Sequence, residues 1–437
     1  MVGGGGREHA IVEALHRSGA EILAAMANQN PGIRRVASET LIGDVNAVDR
    51  VVAWAQDQHA DLAVIGPEAP LERGIVDALE ARGVPTAGPT KAAAQLETNK
   101  EFTRDLMKTY GIPGLPSYWA FDSYAPFSEF VLDSDFEFVI KPLGLTGGKG
   151  VQVWGDHFSS KEGALAYGRE ILEKKIGGQA RFLVEEKLVG EEFSLQALSD
   201  GKRLVPSPLA QDHKRAYEGD RGPNTGGMGS YSDADHLLPF VSRLEYDQAI
   251  ETMRRTVEAM TDRGTPFKGV LYGGFMATKD GPKLLEYNVR FADPESMNIL
   301  PILEDNFVDL CESVARGGLP LRAHFARKAT VCKYVVPPGY GTHPKAGEQL
   351  KVDEDSIRRT GARLYYAAVD ERNGHIYTTT SRSLAVVGIA DDLGTAEAIS
   401  EEALAFIGGS YYARRDIGKP DVVGRKVEKM RKIRGAA

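Results

Sequence analysis

The first part of the chain alternates short apolar segments with amphipathic stretches of helical length. In chain order, the pattern predicts a helix at Glu8 to Arg17, a strand at Glu21 to Met26, a helix at Asn46 to His59, a strand at Leu62 to Ile65, a helix at Leu71 to Arg82 and a strand at Pro85 to Ala87. Such alternation is typical of a parallel, doubly wound sheet. A strand of about 5 residues usually precedes a glycine turn. Only Met1 and Val2 precede the glycines here, so we expect a truncated first strand.

The pattern changes after Pro113. A linker interrupted by prolines leads to a predicted strand at Phe138 to Ile140, a glycine-dense loop, a helix at Lys161 to Lys174 and a strand at Arg181 to Val184. Together they indicate a small lid domain. The next strands predict a larger mixed sheet. They are Phe193 to Leu198, Leu204 to Leu209, Gly269 to Thr278 and Lys283 to Tyr287, with a helix at Tyr246 to Thr261.

The last hundred or so residues form another β-rich unit in this pattern. Strands are predicted near Ala329 to Val335, Arg363 to Val369 and Leu384 to Ile389, followed by a helix at Thr395 to Phe406. A chain of 437 residues is long enough for about three domains of ~150 residues. The predicted fold class is therefore a multidomain α/β and α+β protein.

Composition and charge exclude several classes of protein. The longest apolar runs are far shorter than the roughly 20 residues of a membrane span, and no secretory signal is recognisable, so we expect a cytoplasmic protein without a membrane partner. Cys311 and Cys332 lack the spacing of a zinc or disulfide site. The net charge is −8. Basic residues cluster in the last fifteen positions, where we expect a solvated helix face and no nucleic-acid partner.

The strongest chemical signal is the segment Phe138 to Gly150. A strand that ends at Lys141 is followed there by four glycines, a threonine and a second lysine, Lys149. Glycine N–H groups can surround phosphate oxygens, and lysines supply the positive charge. The segment is not a Walker A motif, because glycine follows Lys149 and no helix pattern begins there. A flexible hairpin turn is the alternative interpretation.

Two further segments could complete a nucleotide site. The segment Leu183 to Ser194 joins two strands through an acidic linker. Its backbone amide and carbonyl groups could form hydrogen bonds with the edge of a purine, and its carboxylates could accept hydrogen bonds from ribose hydroxyls. The alternative interpretation is a solvated acidic loop, which is a common feature. Glu286, Asn288 and Arg290 alternate along a strand and should share one face. The oxygens of Glu286 and Asn288 suit magnesium, and the guanidinium of Arg290 suits a phosphoryl group. The alternative interpretation of this segment is a polar edge strand with a surface salt bridge.

In this order and spacing, the three segments resemble the ATP-grasp superfamily. The resemblance implies an ATP-grasp fold with an N-terminal α/β domain at 1–96, a central domain at 97–118 and 187–322, a lid subdomain at 119–186 and a β-rich C-terminal domain at 323–437. It also implies a two-residue Mg²⁺ or Mn²⁺ site at Glu286 and Asn288. The implied ATP contacts are Lys100 and Lys141 on phosphates, the lid-loop residues Gly144, Thr146, Gly147, Gly148 and Lys149, Glu185 and the backbone near Leu188 on adenine, and Glu192 on ribose.

Other segments resemble phosphoribosylamine–glycine ligases more narrowly. They are Gly4 to Ala10, Val64 to Leu71, Ala87 to Glu97, Gln211 to Arg215 and Gly222 to Gly229. The similarity runs from Gly3 to about Leu310 and continues weakly at Tyr411 to Gly418. It implies ATP-dependent joining of glycine to 5-phosphoribosylamine through glycyl phosphate, a step of purine biosynthesis.

A small phosphorylated sugar amine needs concave surfaces lined by amides and cations. Gly4 to Gly6 and Asn224 to Gly227 are two candidate phosphate sites, and the sequence does not choose between them. The candidate substrate-binding residues are Gly4, Gly5, Gly6, Glu8, Pro67, Glu68, Asn224, Thr225 and Gly226. The candidates for contacting the reacting groups are Asp212, Lys214 and Arg290.

Three other functions stay open at this point. Another ATP-grasp ligase, or a carboxylase-like purine enzyme, would activate a different carboxylate. A nucleotide sensor would bind ATP without turning it over. A dinucleotide-dependent oxidoreductase is disfavoured, because His9 stands where the G-x-G-x-x-G fingerprint requires its last glycine. The expected partners are ATP, glycine and phosphoribosylamine, bound by a monomer or weak homodimer.

Overall fold

The computed structural model describes residues 1–144 and 150–435. In the amino-terminal region, β1 pairs with β2 and β3 with β4, and both pairs are parallel. Val2 joins the two pairs through parallel bridges to Ala25 and Ile65, which confirms the predicted parallel sheet. The elements are α1 (Gly6–Arg17), β1 (Ile22–Met26), α2 (Pro31–Val36), β2 (Ala37–Ile42), α3 (Val48–Asp57), β3 (Ala63–Val64), α4 (Glu68–Glu72), α5 (Ile75–Glu80), β4 (Thr86–Ala87) and α6 (Gln95–Thr98).

Two parts of this region differ from the sequence prediction. The helix expected at Leu71 to Arg82 is two short helices, because Gly74 adopts a left-handed φ of 81° between them. Helix α2 and strand β2 were not predicted at all. Strand β2 has no fully buried residue, so it lacks the apolar pattern by which strands are recognised.

The next region begins with a helix that packs on the main core and continues into an antiparallel sheet of order β5-β8-β6-β7, in the segment where we predict the lid. Its core is separate from the main core and rich in aromatic rings, with Phe127 and Phe182 edge to face at 4.8 Å. The elements are α7 (Lys100–Thr109), β5 (Tyr118–Phe121), α8 (Tyr124–Asp133), β6 (Phe138–Pro142), β7 (Gln152–Val153), α9 (Lys161–Lys174), a 3₁₀ turn (Ile176–Gly178) and β8 (Phe182–Glu186).

The central region supplies the long strands that carry most of the predicted chemistry. Strand β14 lies between β9 and β15, and all three are antiparallel. The elements are β9 (Glu191–Asp200), β10 (Leu204–Asp212), β11 (Arg215–Tyr217), β12 (Arg221–Asn224), β13 (Gly229–Ser232), α10 (Arg243–Asp262), β14 (Lys268–Thr278), β15 (Gly281–Asn288), α11 (Ser296–Ile299), a 3₁₀ turn (Leu300–Ile302) and α12 (Phe307–Arg316).

The carboxyl-terminal region extends the same sheet. The eight strands follow the order β15-β14-β9-β10-β13-β16-β21-β18, so three strands of the carboxyl-terminal region continue the central sheet. A second sheet of order β19-β20-β17-β22 lies beside it. The elements are β16 (Ala329–Val335), β17 (Gln349–Val352), α13 (Glu354–Arg359), β18 (Arg363–Tyr366), β19 (Val369–Arg372), β20 (His375–Thr378), β21 (Leu384–Ala390), α14 (Leu393–Leu404), β22 (Ile407–Gly409) and α15 (Pro420–Ile433).

One apolar core joins the amino-terminal, central and carboxyl-terminal regions, with residues from α1, β14, β16 and α12 in a single buried cluster. Among the described residues, no helix combines the length and the apolar character that a membrane crossing requires.

Candidate active site

Two lysines and an acidic residue that the sequence places far apart meet in one cleft. Lys141 is buried near the end of β6, and its Nζ donates to the carbonyl of Leu285 at 3.2 Å, next to Glu286. Lys100 begins α7, and its Nζ donates to the carbonyl of Gly144 at 3.1 Å. Burial opposes ionisation of Glu286, but nearby lysines that include these two hold its pKa below the ordinary value. Glu286 is therefore a carboxylate that faces positive charge.

Glu185 is buried between two cations. Its carboxylate accepts from Nε and Nη2 of Arg104 at 2.8 and 3.0 Å and from Nζ of Lys141 at 2.6 Å. Burial alone would raise the pKa of Glu185, but these cations lower it to about 2. From the sequence, we predicted that this carboxylate contacts the adenine of ATP. In the structure it is held by protein groups, and its direct effect is to orient Lys141.

Glu286 and Asn288 share one face of β15, because the buried Tyr287 between them points to the other face. Gly274 stands opposite Glu286 in the neighbouring strand, and a Cβ there would lie 3.6 Å from Cγ of Glu286. Within residues 1–144 and 150–435, the side chains of Glu286 and Asn288 make no hydrogen bond or ion pair. A carboxylate and an amide oxygen that are free of protein partners suit a hard divalent cation.

A second group of acidic residues surrounds Lys214. Its Nζ donates to Oε2 of Glu192 at 3.1 Å. The charges of Asp212 and Glu192 raise the pKa of Lys214 well above its ordinary value, so the lysine is an ammonium ion. Burial raises the pKa of Asp212, and burial together with the Asp212 charge raises the pKa of Glu295 to about 7. Near neutral pH, this pair of carboxyl groups can hold a proton beside the lysine.

Arg290 connects the amino-terminal region to the end of β15. Its Nε lies 3.4 Å from Oε2 of Glu68, and its Nη2 lies 3.4 Å from Oε1 of Glu97. The other oxygen of Glu97 accepts from the backbone N–H of Val289 at 2.8 Å. Burial opposes ionisation of Glu68, but Arg290 and Arg7 hold its pKa below the ordinary value. The ion pairs thus bring Glu68 and Arg290 together as predicted members of one site.

The amino-terminal glycine turn leads directly into α1. Glu8 closes the turn, because its Oε2 accepts from the N–H of Gly5 at 2.7 Å and its Oε1 accepts from Nε of Arg7 at 2.7 Å. A Cβ on Gly66 would lie 2.2 Å from Oε1 of Glu8, so the next loop packs directly against this carboxylate. Pro67 follows and caps α4. Glu8, which we predicted to bind substrate, is engaged in holding the turn.

The second glycine loop begins after β12, which Asn224 ends. The N–H and Oγ1 of Thr225 both donate to the carbonyl of Lys214 at 2.8 Å, so the loop lies against the acidic group described above. The N–H of Gly227 donates to Oγ1 of Thr225 at 3.1 Å. The carbonyl of Gly226 accepts from Arg382 of the carboxyl-terminal region.

The remaining predicted residues have different outcomes. Leu188 lies half-buried between β8 and β9. Four predicted residues of the glycine loop lie outside the described residues: Thr146, Gly147, Gly148 and Lys149.

Four residues that contact or interact with the candidate site residues had no role in the prediction: Glu97, Arg104, Glu295 and Arg382. Glu97 and Glu295 both lie inside segments that carried the family resemblance, so position could have suggested them. Arg104 and Arg382 carry no local signal.

Three family models match successive parts of the chain. They describe the N domain, the ATP-grasp (A) domain and the C domain of phosphoribosylglycinamide synthetase, and they match residues 1–97, 98–296 and 330–420.

Full-length relatives give the same result. The phosphoribosylamine–glycine ligase of Methanothermobacter thermautotrophicus is 50% identical over 434 residues, which cover 99% of each chain. That of Thermococcus kodakarensis is 49% identical over 435 residues, which cover 100% of this chain and 99% of the relative.

Solved structures agree with this. The phosphoribosylamine–glycine ligase of Thermotoga maritima superposes with a TM-score of 0.81 at 28% identity, over 95% of this chain and 98% of that one. The biotin carboxylase domain of Hydrogenobacter thermophilus 2-oxoglutarate carboxylase, solved with MgADP, has a TM-score of 0.73 at 14% identity over 100% of this chain and 98% of that one, and so shares the fold. Together these matches show that the chain belongs to the phosphoribosylglycinamide synthetase family and has the ATP-grasp fold.

Proposed function

We propose that this protein joins glycine to 5-phosphoribosylamine with ATP, giving glycinamide ribonucleotide, ADP and phosphate in purine biosynthesis. The names and full-length similarity of its relatives support this activity. The observation that carries the proposal is the proximity of Lys100 and Lys141 to Glu286, whose pKa their charges lower together with that of Lys214. Such an arrangement of cations opposite a carboxylate suits a triphosphate bound with a divalent cation.

In the proposed complex, Lys100 and Lys141 contact the ATP phosphates. Glu185 fixes the position of Lys141, so the adenine contacts fall chiefly to the backbone near Leu188. Glu192 accepts the ribose hydroxyls. The lid loop from Gly144 through Thr146, Gly147, Gly148 and Lys149 then covers the phosphates and excludes water from the acyl phosphate.

Glu286 and Asn288 would hold Mg²⁺ or Mn²⁺. The fit rests on their free oxygens on one strand face, since the described residues leave both side chains without a hydrogen bond. When bound, the cation would neutralise the charge of the transferring phosphoryl group. Lys214 and Arg290 remain positively charged in the same cleft and would stabilise the acyl phosphate from the protein side.

The chemistry proceeds in two displacements. A carboxylate oxygen of glycine attacks the γ-phosphorus, and the bond to ADP breaks. The amine nitrogen of phosphoribosylamine then attacks the acyl carbon, phosphate leaves, and the nitrogen loses a proton. Asp212, whose charge interacts with Lys214 and Glu295, would contact the incoming amine. Positioning and charge neutralisation supply most of the catalysis.

We also propose the domain division of 1–96, 97–118 with 187–322, 119–186 and 323–437. The separate aromatic core of the lid supports the third of these boundaries. We further propose a cytoplasmic monomer or weak homodimer. Cys311 and Cys332 are both buried and unpaired, which fits a reducing compartment.

A substrate-omission assay tests the function. ADP release should require both glycine and phosphoribosylamine, and bicarbonate should not replace glycine. ADP release driven by bicarbonate would indicate a carboxylase instead, and ATP binding without turnover would indicate a sensor.

Substitution of the proposed metal ligand gives a sharper test. Glu286→Ala should lower glycine-dependent ADP release by at least about 100-fold, because a carboxylate that holds the cation acts directly on the phosphoryl group. Glu251→Ala, which removes an exposed carboxylate on α10, is the matched control and should keep full activity. Unchanged turnover in a folded Glu286→Ala protein would remove that residue from its proposed role.

A further inference from the structure

One tyrosine of the central sheet lies on the same face as Glu286 and Asn288. Tyr272 stands directly opposite Asn288 on the neighbouring strand β14. Two residues further along β14, Gly274 stands opposite Glu286, and residues two apart on a strand face the same side. A Cβ on Gly274 would lie 3.6 Å from the hydroxyl oxygen of Tyr272 and 3.6 Å from Cγ of Glu286. The tyrosine ring therefore extends along the strand toward Glu286.

The hydroxyl of Tyr272 is surrounded by charged groups from both parts of the candidate site. The charges that act on it belong to the proposed metal ligand and to the acidic group around the buried lysine: Glu286, Asp212, Lys214 and Glu295. Burial and the carboxylates raise the pKa of Tyr272 well above its ordinary value. The phenol therefore keeps its proton near neutral pH and can donate a hydrogen bond.

No protein group uses this donor in the described part of the chain. Within residues 1–144 and 150–435, the Tyr272 hydroxyl makes no hydrogen bond, although the residue is only 4% exposed. A buried tyrosine hydroxyl usually has a partner, because it otherwise loses its bonds to water without replacement. The hydroxyl of Tyr287, on the other face of β15, has such a partner in Oγ1 of Thr256 at 2.8 Å. The Tyr272 hydroxyl is thus a donor available to a bound molecule.

The proposed reaction brings one group of the substrate to this position. The carboxyl group of glycine has to meet the γ-phosphate near Glu286 and then the amine, which we place at Asp212. When the amine nitrogen attacks the acyl carbon, the electron pair of the C=O bond moves to the oxygen. When that pair returns, the bond from carbon to the phosphate oxygen breaks, and the proton lost by nitrogen leaves on the phosphate. The acyl oxygen therefore carries negative charge between these two events.

We propose that Tyr272 is a further catalytic residue, whose hydroxyl donates a hydrogen bond to the acyl oxygen of glycine while that oxygen carries charge in the amide-forming step. This inference rests on the proposed function and assigns a donor to one atom of its substrate. The tyrosine keeps its own proton throughout. A hydrogen bond to an oxyanion in a buried site strengthens as the charge develops, so it stabilises the transition state more than the bound substrate.

A single-turnover experiment separates the two displacements. Enzyme in excess over ATP is mixed with glycine and phosphoribosylamine, and ADP and glycinamide ribonucleotide are measured after rapid quenching. Tyr272→Phe removes the hydroxyl and no hydrogen bond within the described residues, so the variant should fold and melt near the wild-type temperature. It should slow formation of glycinamide ribonucleotide about 100-fold, the loss expected for one donor to an oxyanion. ADP should form within about threefold of the wild-type rate and therefore appear first.

Two comparisons show that the effect belongs to this hydroxyl. Tyr246→Phe is the matched control, because it removes a tyrosine hydroxyl on α10 that donates to the carbonyl of Ser207 at 3.2 Å. Both rates should stay at the wild-type value in that variant. In Tyr272→Phe, the KM for ATP and the Mg²⁺ concentration that gives half-maximal ADP formation should change less than about twofold, because the hydroxyl acts on the acyl oxygen.

The outcomes distinguish this inference from the proposed function. Absence of glycine-dependent ADP release in wild-type protein would overturn the function. Normal wild-type turnover, with both rates of Tyr272→Phe within about threefold of wild type, would overturn the role of Tyr272 alone. Equal slowing of ADP and glycinamide ribonucleotide formation, or a weaker response to Mg²⁺ or ATP, would place the tyrosine in phosphoryl transfer or in the support of β15 and would also contradict the inference.

Discussion

At the scale of single residues, the cleft depends on charges that are buried together. Glu185 is surrounded by Arg104 and Lys141, and none of the three side chains is more than 10% exposed. A buried charge that loses its partner is strongly destabilising, because water cannot replace the lost interaction. The orientation of Lys141 and the stability of the lid junction therefore depend on the same carboxylate.

The substitution Glu185→Gln tests this dependence. The neutral amide cannot balance two cations, so we expect the free energy of unfolding to fall by about 3 kcal/mol and the KM for ATP to rise. Chemical denaturation and ATP titration measure the two effects. Glu101→Gln is the control, because Glu101 pairs with the more exposed Arg181 and should lose no more than about 1 kcal/mol. Equal losses in the two variants would contradict the account.

His9 contributes a dependence of stability on pH. Its Nδ1 accepts from the N–H of Tyr366 at 2.9 Å, and burial lowers its pKa to about 4. An unfolded histidine titrates near 6.5. The unfolded chain therefore binds more protons between these values, so the stability contributed by neutral His9 is complete above pH 6.5 and is lost as the pH falls toward 4.

Denaturation curves between pH 7 and pH 4 should show this effect. The loss attributable to His9 is on the order of 3 kcal/mol across the window. His9→Gln should flatten the decline, because glutamine does not titrate. The matching change at the exposed His375 should leave the slope unaltered. A wild-type slope in the His9 variant would show that the imidazole is not the titrating group.

Local sequence patterns indicated candidate site residues but could not predict the residues that contact them. Lys141 precedes a glycine-rich segment, and Glu286 belongs to a strand on which polar residues alternate. A window of a few residues was therefore enough to select both as candidates. The partners of Arg290 come from α4 and from the end of α6. Pairing between distant segments depends on how the sheets pack, which no local pattern contains.

At the scale of elements, α15 has a role that its sequence did not reveal. The basic tail was predicted to be a solvated helix face, and part of it is not. Nζ of Lys429 lies 2.8 Å from both the carbonyl of Gly190 and Oε1 of Glu191, and Lys426 lies 3.9 Å from Glu191. The helix thus holds the segment that leads into Glu192, the proposed ribose contact.

Removal of both lysines tests the role of the helix. The double variant Lys426→Ala and Lys429→Ala should raise the KM for ATP about two- to fivefold, the effect expected of partly exposed ion pairs. The kcat should not change. Lys432→Ala is the control on the same helix, since that side chain is exposed and pairs with Glu428 within the helix. An unchanged KM in the double variant would show that α15 does not position the ATP linker.

The elements themselves were predicted where their burial was regular. Strand β16 is buried at every position and matches the predicted bounds. Strand β2 is exposed or half-buried throughout, and its sequence resembles a loop. Helices α4 and α5 were merged because the apolar pattern continues across Gly74, whose left-handed conformation separates them.

At the scale of the whole molecule, the carboxyl-terminal region is part of the catalytic body. Strands β16, β21 and β18 continue the central sheet, and Arg382 lies just before β21. The sequence indicated a separate β-rich unit, because an apolar strand does not specify which sheet it joins. This continuity brings Tyr334 and Arg382 to the glycine segments at the other end of the chain.

The lid has its own core, separate from the main core that links the amino-terminal, central and carboxyl-terminal regions and from a smaller core within the carboxyl-terminal region. A separate core allows the lid to move as a unit over bound ATP. In the proposed complex, such a movement would exclude water from the phosphates that Lys100 and Lys141 contact.

Isotope transfer from glycine to phosphate tests the central claim most directly. Glycine labelled with ¹⁸O in its carboxylate is turned over with ATP and phosphoribosylamine, and the released phosphate is analysed by mass spectrometry. If the carboxylate attacks the γ-phosphorus, each phosphate should contain one ¹⁸O atom from glycine. Unlabelled phosphate released together with ADP would contradict activation of glycine as an acyl phosphate.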